Sequence, residues 1–176
     1  ACLLKFYQQL RLYDDESADL EPFNIEKPLW VFVGRTVSKA RGGSEDEKIM
    51  ATDVARIIQF IAGFLHDRQT ACRRMDKVLS ERGQDTGLID KKGEDIFAGS
   101  FTYLADAVKG GETVADIYRD ILRRLFNNAA GGILELERIK GESGEIALRV
   151  GGAEAPFGLI NVGDAKGLCD HVEEVA

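Results

Sequence analysis

Apolar residues recur with the period of an amphipathic helix over much of the chain. The clearest cases are residues 52–66 and 112–126, where the apolar positions fall on one helical face. Thr113 and Asp116 have the spacing of a capping box, which predicts where the second of these helices begins. Thinner stripes of the same period predict three further helices, at 2–13, 68–80 and 101–108.

The period changes from about 3.6 to 2 near residue 133. Alternating apolar and polar residues on both sides of a Gly-Glu-Ser-Gly turn predict a β-hairpin at about 133–150 with one solvated face. Two apolar runs, 29–34 and 157–162, are too short for helices and predict buried strands. The second run leads into a final helix, predicted to end at about His171. Two patternless segments are predicted to be loops: 14–19 and 90–99.

Composition and charge narrow the class of protein. A chain of 176 residues with 44% apolar and 30% charged residues is large enough for one domain with its own core. The net charge of -7 argues against nucleic-acid binding over the whole surface, although a local basic loop remains compatible with it. Three cysteines without metal-site spacing predict reduced thiols in a cytoplasmic protein. No apolar run approaches the length of a membrane span.

The loop after the first predicted strand is the leading candidate site. It holds three cations and two hydroxyl side chains: Arg35, Lys39, Arg41, Thr36 and Ser38. Such a loop can present basic groups and backbone N–H groups to phosphates, just outside the carboxyl end of a buried strand. The alternative is a solvated connection whose cations offset the acidic residues that follow it.

Other candidate groups have simpler structural interpretations. The turn Asn161–Asp164 precedes the predicted final helix, whose N-terminus could meet an anion, but Asp164 serves equally well as a helix cap. A metal-dependent nuclease would need carboxylates and a lysine on one strand face. Glu137 and Lys140 are three apart and face opposite ways, so together with Glu135 they indicate a polar outer face instead.

The two histidines and three cysteines predict no catalytic site. His66 ends a predicted helix and His171 lies in the last one, and neither has the serine or carboxylate spacing of a triad. Cys2, Cys72 and Cys169 are interpreted as small core residues or bystanders.

Four phrases along the chain carry a resemblance to a known family. In order they are LEPFNIEKPLWVFVGRTV, TDVARIIQFIAGFL, YRDILRRLFN and GGILELERIKGESGEIALRVGGAEAPFGLINVGD. They resemble a stretch of the helicase subunit of type III restriction enzymes and of related DEAD/DEAH-box helicases, from about residue 20 to 170.

The resemblance implies a fold and a function. The fold would be an α/β, RecA-like partial lobe of the P-loop NTPase type, with a mixed sheet and the inserted hairpin at about 133–150. Residues 1–176 would be a single domain, cut from a longer chain at the start of its second lobe. The parent would be a cytoplasmic ATP-dependent helicase of a restriction-modification system, with DNA and a methyltransferase subunit as partners. Arg35, Thr36, Ser38, Lys39 and Arg41 would lie near DNA phosphates.

Several motifs of that family are missing from this chain. No GxxxxGK[ST] loop, DEAD/DEAH box or arginine-rich motif occurs in it. We therefore expect ATP and magnesium to bind the parent protein elsewhere, and we expect this chain alone to hold no cofactor and to be inactive. A competing hypothesis is a non-catalytic, acidic protein-interaction module.

Overall fold

The computed structural model describes residues 1–32, 45–80, 84–140, 144–161 and 168–169, with side chains in the second helix described from residue 54 onward. Within these ranges the chain consists of helices and one small antiparallel sheet, so it is an α/β protein at this level of description.

The chain divides into two compact units. The first, which we call unit 1, contains Ala1–Val31 and Gln69–Ile121. The second, unit 2, contains Phe32–Arg68 and Leu122–Ala176.

Five α-helices occur where the hydrophobic period predicts them. They are α1 (Cys2–Leu20), α2 (Glu45–His66), α3 (Arg68–Leu79), α4 (Thr102–Lys109) and α5 (Val114–Phe126). A short 3-10 helix, Glu21–Phe23, follows α1.

Two helix boundaries differ from the prediction. The acidic segment 14–19, predicted to be a loop, continues α1 as far as Leu20. Its residues are all exposed, so a helix can carry them on its surface without burying charge, and the lack of an apolar stripe does not end the helix. Helix α2 begins at Glu45, before the predicted start near residue 52.

The predicted capping box of α5 is confirmed. The Thr113 hydroxyl oxygen accepts a hydrogen bond from the Asp116 backbone N–H at 3.1 Å, and an Asp116 carboxylate oxygen accepts one from the Thr113 N–H at 3.1 Å. A hydrogen bond from the Thr113 hydroxyl to the Asp116 carboxylate, followed by the bond from the Thr113 N–H, lowers the pKa of that carboxyl. At the other end, Asn127 takes the left-handed conformation with φ 54°, which ends the helix where predicted.

In unit 1 the buried stripe of α1 recurs every three or four residues. Leu3, Tyr7 and Leu10 are each no more than 3% exposed. Buried apolar residues of the later helices in this unit include Met75, Leu104, Ile117 and Ile121. Burial of each large apolar side chain contributes about 1.5 to 3 kcal/mol before the entropic cost of ordering it.

Unit 2 contains a three-stranded antiparallel meander. Its strands are β1 (Leu134–Arg138), β2 (Glu145–Val150) and β3 (Gly158–Asn161), in that spatial order. The predicted hairpin is confirmed, with Leu136 opposite Leu148. The third strand also forms, with Ile160 opposite Ile146, but its predicted burial is wrong, because β3 lies at the edge of the sheet and Leu159 is 67% exposed. The prediction of a mixed sheet is wrong for the described residues, because both strand pairs are antiparallel.

One face of this sheet packs on α2. Ile58 of α2, Ile146 of β2 and Leu168 form the centre of the cluster, and partly buried residues surround it: Val54, Leu134, Leu136, Ile160 and Cys169. The other face is solvated as predicted, because Glu135 and Glu137 are exposed and Arg149 forms an ion pair with Glu137 at 2.8 Å.

The predicted buried strand at 29–34 is wrong over its described part. Residues 29–32 form no strand, and Leu29 is 83% exposed, Val31 63% and Phe32 50%. An apolar run becomes a buried strand only when neighbouring strands pair with its backbone and cover both faces. The sheet of this chain forms from β1, β2 and β3, and these residues do not join it.

The sheet–helix core of unit 2 yields a stability prediction. Ile146 is fully buried, whereas Ile133 in the same unit is 77% exposed. We expect Ile146→Ala to lower the free energy of unfolding by about 2 to 5 kcal/mol, because it leaves a cavity. The matched control Ile133→Ala removes the same atoms from a solvent-exposed position and should change the free energy of unfolding little. Urea unfolding monitored by circular dichroism measures both, and equal losses in the two variants would contradict this core assignment.

Candidate functional site

The cationic loop predicted from sequence lies outside the described residues. Arg35, Thr36, Ser38, Lys39 and Arg41 all fall in the range 33–44. Its role in DNA binding therefore stays a prediction. Asp164 and His171 also lie outside the described ranges, so the predicted anion turn and the end of the last helix are untested, although residues 168–169 are helical.

The segment that leads into this loop is described as far as Phe32, and residues 25–32 belong to no helix or strand. The Trp30 ring packs against Phe6 of α1, with ring centroids 5.4 Å apart. Leu29 and Val31, on either side of Trp30, are exposed. One side of this segment therefore packs on α1, and the other side is exposed.

A polar cluster that the sequence analysis missed lies in unit 1. We call it the Arg11 cluster, and its members are Tyr7, Arg11, Tyr103, Glu112 and Asp120. Arg11 Nη1 donates hydrogen bonds to both carboxylate oxygens of Glu112, at 3.0 and 2.8 Å. The Arg11 guanidinium carbon also lies 5.9 Å from the Tyr7 ring centroid and 5.4 Å from that of Tyr103, within cation–π range.

The two phenols of the Arg11 cluster each donate to a carboxylate. Tyr7 Oη donates to Asp120 Oδ2 at 2.8 Å, and Tyr103 Oη donates to Asp15. Burial raises the pKa of the Tyr7 phenol, and its hydrogen bond to Asp120 raises it further. Burial and the bond to Asp15 likewise raise the pKa of the Tyr103 phenol. Both rings are therefore neutral donors over the physiological pH range.

A second set of bonds ties α1 to the backbone just before α4. Lys5 Nζ and Gln8 Nε2 both donate to the carbonyl oxygen of Ser100, at 3.1 and 2.9 Å. Gln8 is only 4% exposed, and its Oε1 has no hydrogen-bond partner among the described residues. An unsatisfied acceptor of this kind costs about 1 to 3 kcal/mol, which the neighbouring apolar burial in unit 1 must offset.

The Arg11 cluster is suited to holding helices together and not to catalysing a reaction. It contains no thiol or imidazole, its cation is paired with Glu112, and its phenols are held protonated. None of these groups is poised as a nucleophile or general base. The cluster instead fixes α1 against α4 and α5 within unit 1.

The predicted loop 90–99 is confirmed and is internally bonded. Asp95 accepts hydrogen bonds from the Thr86 hydroxyl at 2.7 Å and from the backbone N–H groups of Thr86, Gly87 and Phe97. The bond from the Thr86 hydroxyl, followed by the backbone bonds, lowers the pKa of the Asp95 carboxyl. This carboxylate therefore organises the turn.

The other residues singled out from the sequence are exposed at the surface or partly buried. Glu135 and Glu137 lie on the solvated sheet face, and Lys140 is exposed just beyond β1. His66 is exposed at the last position of α2, as predicted. Cys72 and Cys169 are partly buried, whereas Cys2 is exposed. In the described ranges, no group of three or more His, Cys, Asp or Glu side chains is arranged to hold a metal ion.

No protein-family model, curated protein or solved structure matches the chain. Among the helices that the structure describes, none combines the length and apolar character needed to cross a membrane.

The Arg11 cluster predicts the effect of removing one hydroxyl. Tyr7→Phe should lower the free energy of unfolding by about 1.5 to 3 kcal/mol at pH 8, because the bond to a charged carboxylate is lost. The matched control is Tyr13→Phe, since the Tyr13 hydroxyl forms no hydrogen bond with any described residue.

The same pair of variants has a defined pH dependence. The folded-state pKa of Tyr7 is raised, so its contribution is complete below the unfolded-state pKa, about 10, and is lost as pH rises beyond it. The stability difference between wild type and Tyr7→Phe should shrink above pH 10 in urea unfolding. Two results would contradict this role of the Arg11 cluster. One is a stability difference between wild type and Tyr7→Phe that stays constant to pH 11. The other is a stability loss in Tyr7→Phe that equals the loss in Tyr13→Phe.

Proposed function

We propose that the chain is part of the second RecA-like lobe of a cytoplasmic, ATP-dependent DNA helicase or translocase of a restriction-modification system. Its role there is to contact the DNA backbone through Arg35, Thr36, Ser38, Lys39 and Arg41. The proposal rests on the four phrases that resemble the helicase subunit of type III restriction enzymes. The α/β character of the chain is compatible with it.

The observation that best supports this proposal is the exposure of the segment before the cationic loop. Leu29 and Val31 have the side chains of an interior strand, yet they are 83% and 63% exposed. In a complete RecA-like lobe, neighbouring strands would cover such a segment, and the loop after it would meet the ligand at the strand's carboxyl end. Within this proposal, the exposed segment is a strand whose neighbours belong to the rest of the lobe.

The proposal assigns ATP hydrolysis to other parts of the parent protein. The chain has no phosphate-binding GxxxxGK[ST] loop. ATP and magnesium would therefore bind to the part of the parent protein that contains this loop. The present chain would contact DNA without performing a chemical step.

A second candidate function is a non-catalytic, acidic protein-interaction module, with a methyltransferase subunit as one partner. The net charge of -7 favours it, because the chain as a whole repels DNA. The large apolar side chains exposed between residues 23 and 32 favour it as well.

The two functions predict different responses to salt. If three cations neutralise three phosphates, the logarithm of the binding constant for duplex DNA should fall with the logarithm of salt concentration with a slope of about -2.7. Affinity would then drop about 40-fold between 50 and 200 mM salt. Fluorescence anisotropy of a labelled duplex, titrated with the chain, measures this slope.

A matched pair of variants isolates the loop. Arg35→Ala/Lys39→Ala/Arg41→Ala should weaken binding and flatten the salt slope. Lys91→Ala/Lys92→Ala/Lys109→Ala removes the same charge from exposed positions of unit 1 and should reduce binding far less. If both triple variants lose affinity equally, the loop has no specific role in DNA contact and the protein-interaction function is preferred.

A further inference from the structure

We propose that residues 13–31 form a docking surface for a partner protein segment that is rich in lysine or arginine and carries large apolar side chains. We call this the acidic–apolar surface. It lies wholly in unit 1 and does not include the cationic loop. The inference thus goes beyond DNA contact and gives the second candidate function a location and a partner chemistry.

The apolar component of this surface is concentrated in a short segment. Phe23, Ile25, Leu29 and Val31 are 73%, 48%, 83% and 63% exposed. Single exposed apolar residues are ordinary, but four large ones within nine positions mark an interaction site. Leu29 and Val31 flank the partly buried Trp30, and both side chains are exposed while the Trp30 ring packs on α1.

The segment is held in place by its other side. Trp30 and Pro28 are partly buried, and the Trp30 ring packs on Phe6 of α1. This contact supports the segment against α1 and leaves Leu29 and Val31 facing outward. A partner therefore meets apolar side chains that are already positioned, which reduces the entropic cost of binding.

A groove runs beside the first part of the segment. It has a volume of about 890 Å³ and lies between the end of α1 and residues 24–27. Tyr13, Ser17 and Glu21 line one side, and Ile25 and Lys27 line the other. The groove offers two apolar side chains, Ala18 and Ile25, one aromatic ring and several polar groups, a mixture that suits a peptide better than a wholly apolar ligand.

The charge of the surface selects the partner. Between residues 13 and 31 there are six carboxylates and one lysine, so most of the net charge of -7 is concentrated here. The carboxylates are all exposed: Asp14, Asp15, Glu16, Asp19, Glu21 and Glu26. A negatively charged surface attracts lysine and arginine side chains and repels nucleic acid. It also repels a second copy of itself.

The backbone of the segment provides a means of attachment. Ile25, Leu29 and Val31 form no backbone hydrogen bonds with other described residues. An extended partner can pair with such an edge, gaining affinity from main-chain bonds and specificity from alternating side chains. Alternation of basic and large apolar residues matches the outward-facing apolar side chains and the carboxylates around them.

Three labelled peptides test this surface by fluorescence anisotropy at 100 mM salt. The probe is an eight-residue peptide of sequence KVKLKVKL, which carries both features. KSKSKSKS keeps only the charge, and EVELEVEL keeps the apolar residues but reverses the charge. We expect KVKLKVKL to bind at least about tenfold more tightly than either control peptide, because each control lacks one of the two required components.

Matched variants locate the binding site on the chain. Leu29→Ser/Val31→Ser should weaken KVKLKVKL binding about tenfold or more. The control Ile89→Ser/Ile96→Ser changes two isoleucines of unit 1 that are 55% and 60% exposed, and it should bind normally. Circular dichroism checks that each variant is folded.

A second pair of variants tests the charges. Glu21→Gln/Glu26→Gln should weaken binding of the same peptide and reduce its salt dependence. The control Asp76→Asn/Glu94→Gln removes the same charge from exposed positions elsewhere in unit 1 and should have little effect.

Several outcomes would overturn the proposal. One is equal binding of all three peptides, and another is equal loss in Leu29→Ser/Val31→Ser and in its control. A third is self-association in sedimentation that Leu29→Ser/Val31→Ser abolishes, with no peptide binding, because the surface would then serve a second copy of the chain. Arg35→Ala/Lys39→Ala/Arg41→Ala should bind KVKLKVKL as wild type does, so this proposal and the DNA proposal fail separately.

Discussion

A strand-forming segment stays exposed unless another strand pairs with it, and this constraint separates the two apolar regions of the chain. β1, β2 and β3 satisfy one another's backbone groups and can therefore bury a common face against Ile58 of α2. Residues 25–31 have comparable side chains, but none of the described strands lies beside them, and Leu29 and Val31 are exposed. Both functional proposals begin from this difference.

The Arg11 cluster explains how unit 1 can display such a segment. The first half of α1 is fixed through buried leucines, the Tyr7–Asp120 bond and the Arg11–Glu112 ion pair. The second half carries exposed carboxylates and leads into the segment with exposed apolar side chains. Because the buried half orders the helix, the exposed half is presented on a supported element. The hydrogen bonds and the ion pair of the Arg11 cluster therefore serve mainly to position the acidic–apolar surface.

Local patterns in the sequence predicted local structure well. The five helices, the Thr113–Asp116 capping box and the hairpin with its third strand follow from periods and spacings, although α2 begins at Glu45 and not near residue 52. The end of α1 was missed because exposed acidic residues show no apolar stripe in a helix or in a loop. The segment 29–32 was misjudged because an apolar run has the same composition whether or not a neighbouring strand covers it.

The candidate sites were harder to predict, because they form through contacts between residues that are far apart in the sequence. Arg11 and Glu112 are about a hundred positions apart in sequence, and the only nearby signal was the i, i+4 spacing of Tyr7 and Arg11 on α1. The cationic loop could be selected from its composition, but its geometry lies outside the described residues. The RecA-like fold and the helicase function accordingly remain proposals that rest on sequence resemblance.

The measurement that tests the account most directly is amide hydrogen exchange, resolved by residue, on the isolated chain. We expect the amides of Ile25, Leu29 and Val31 to exchange nearly as fast as in an unstructured peptide, because their backbone groups have no hydrogen-bond partner in the described part of the chain. The amides of Ile146 and Leu148, in the central strand of the sheet, should be strongly protected. Protection of Leu29 and Val31 equal to that of the central strand would contradict the account, because the segment would already be paired.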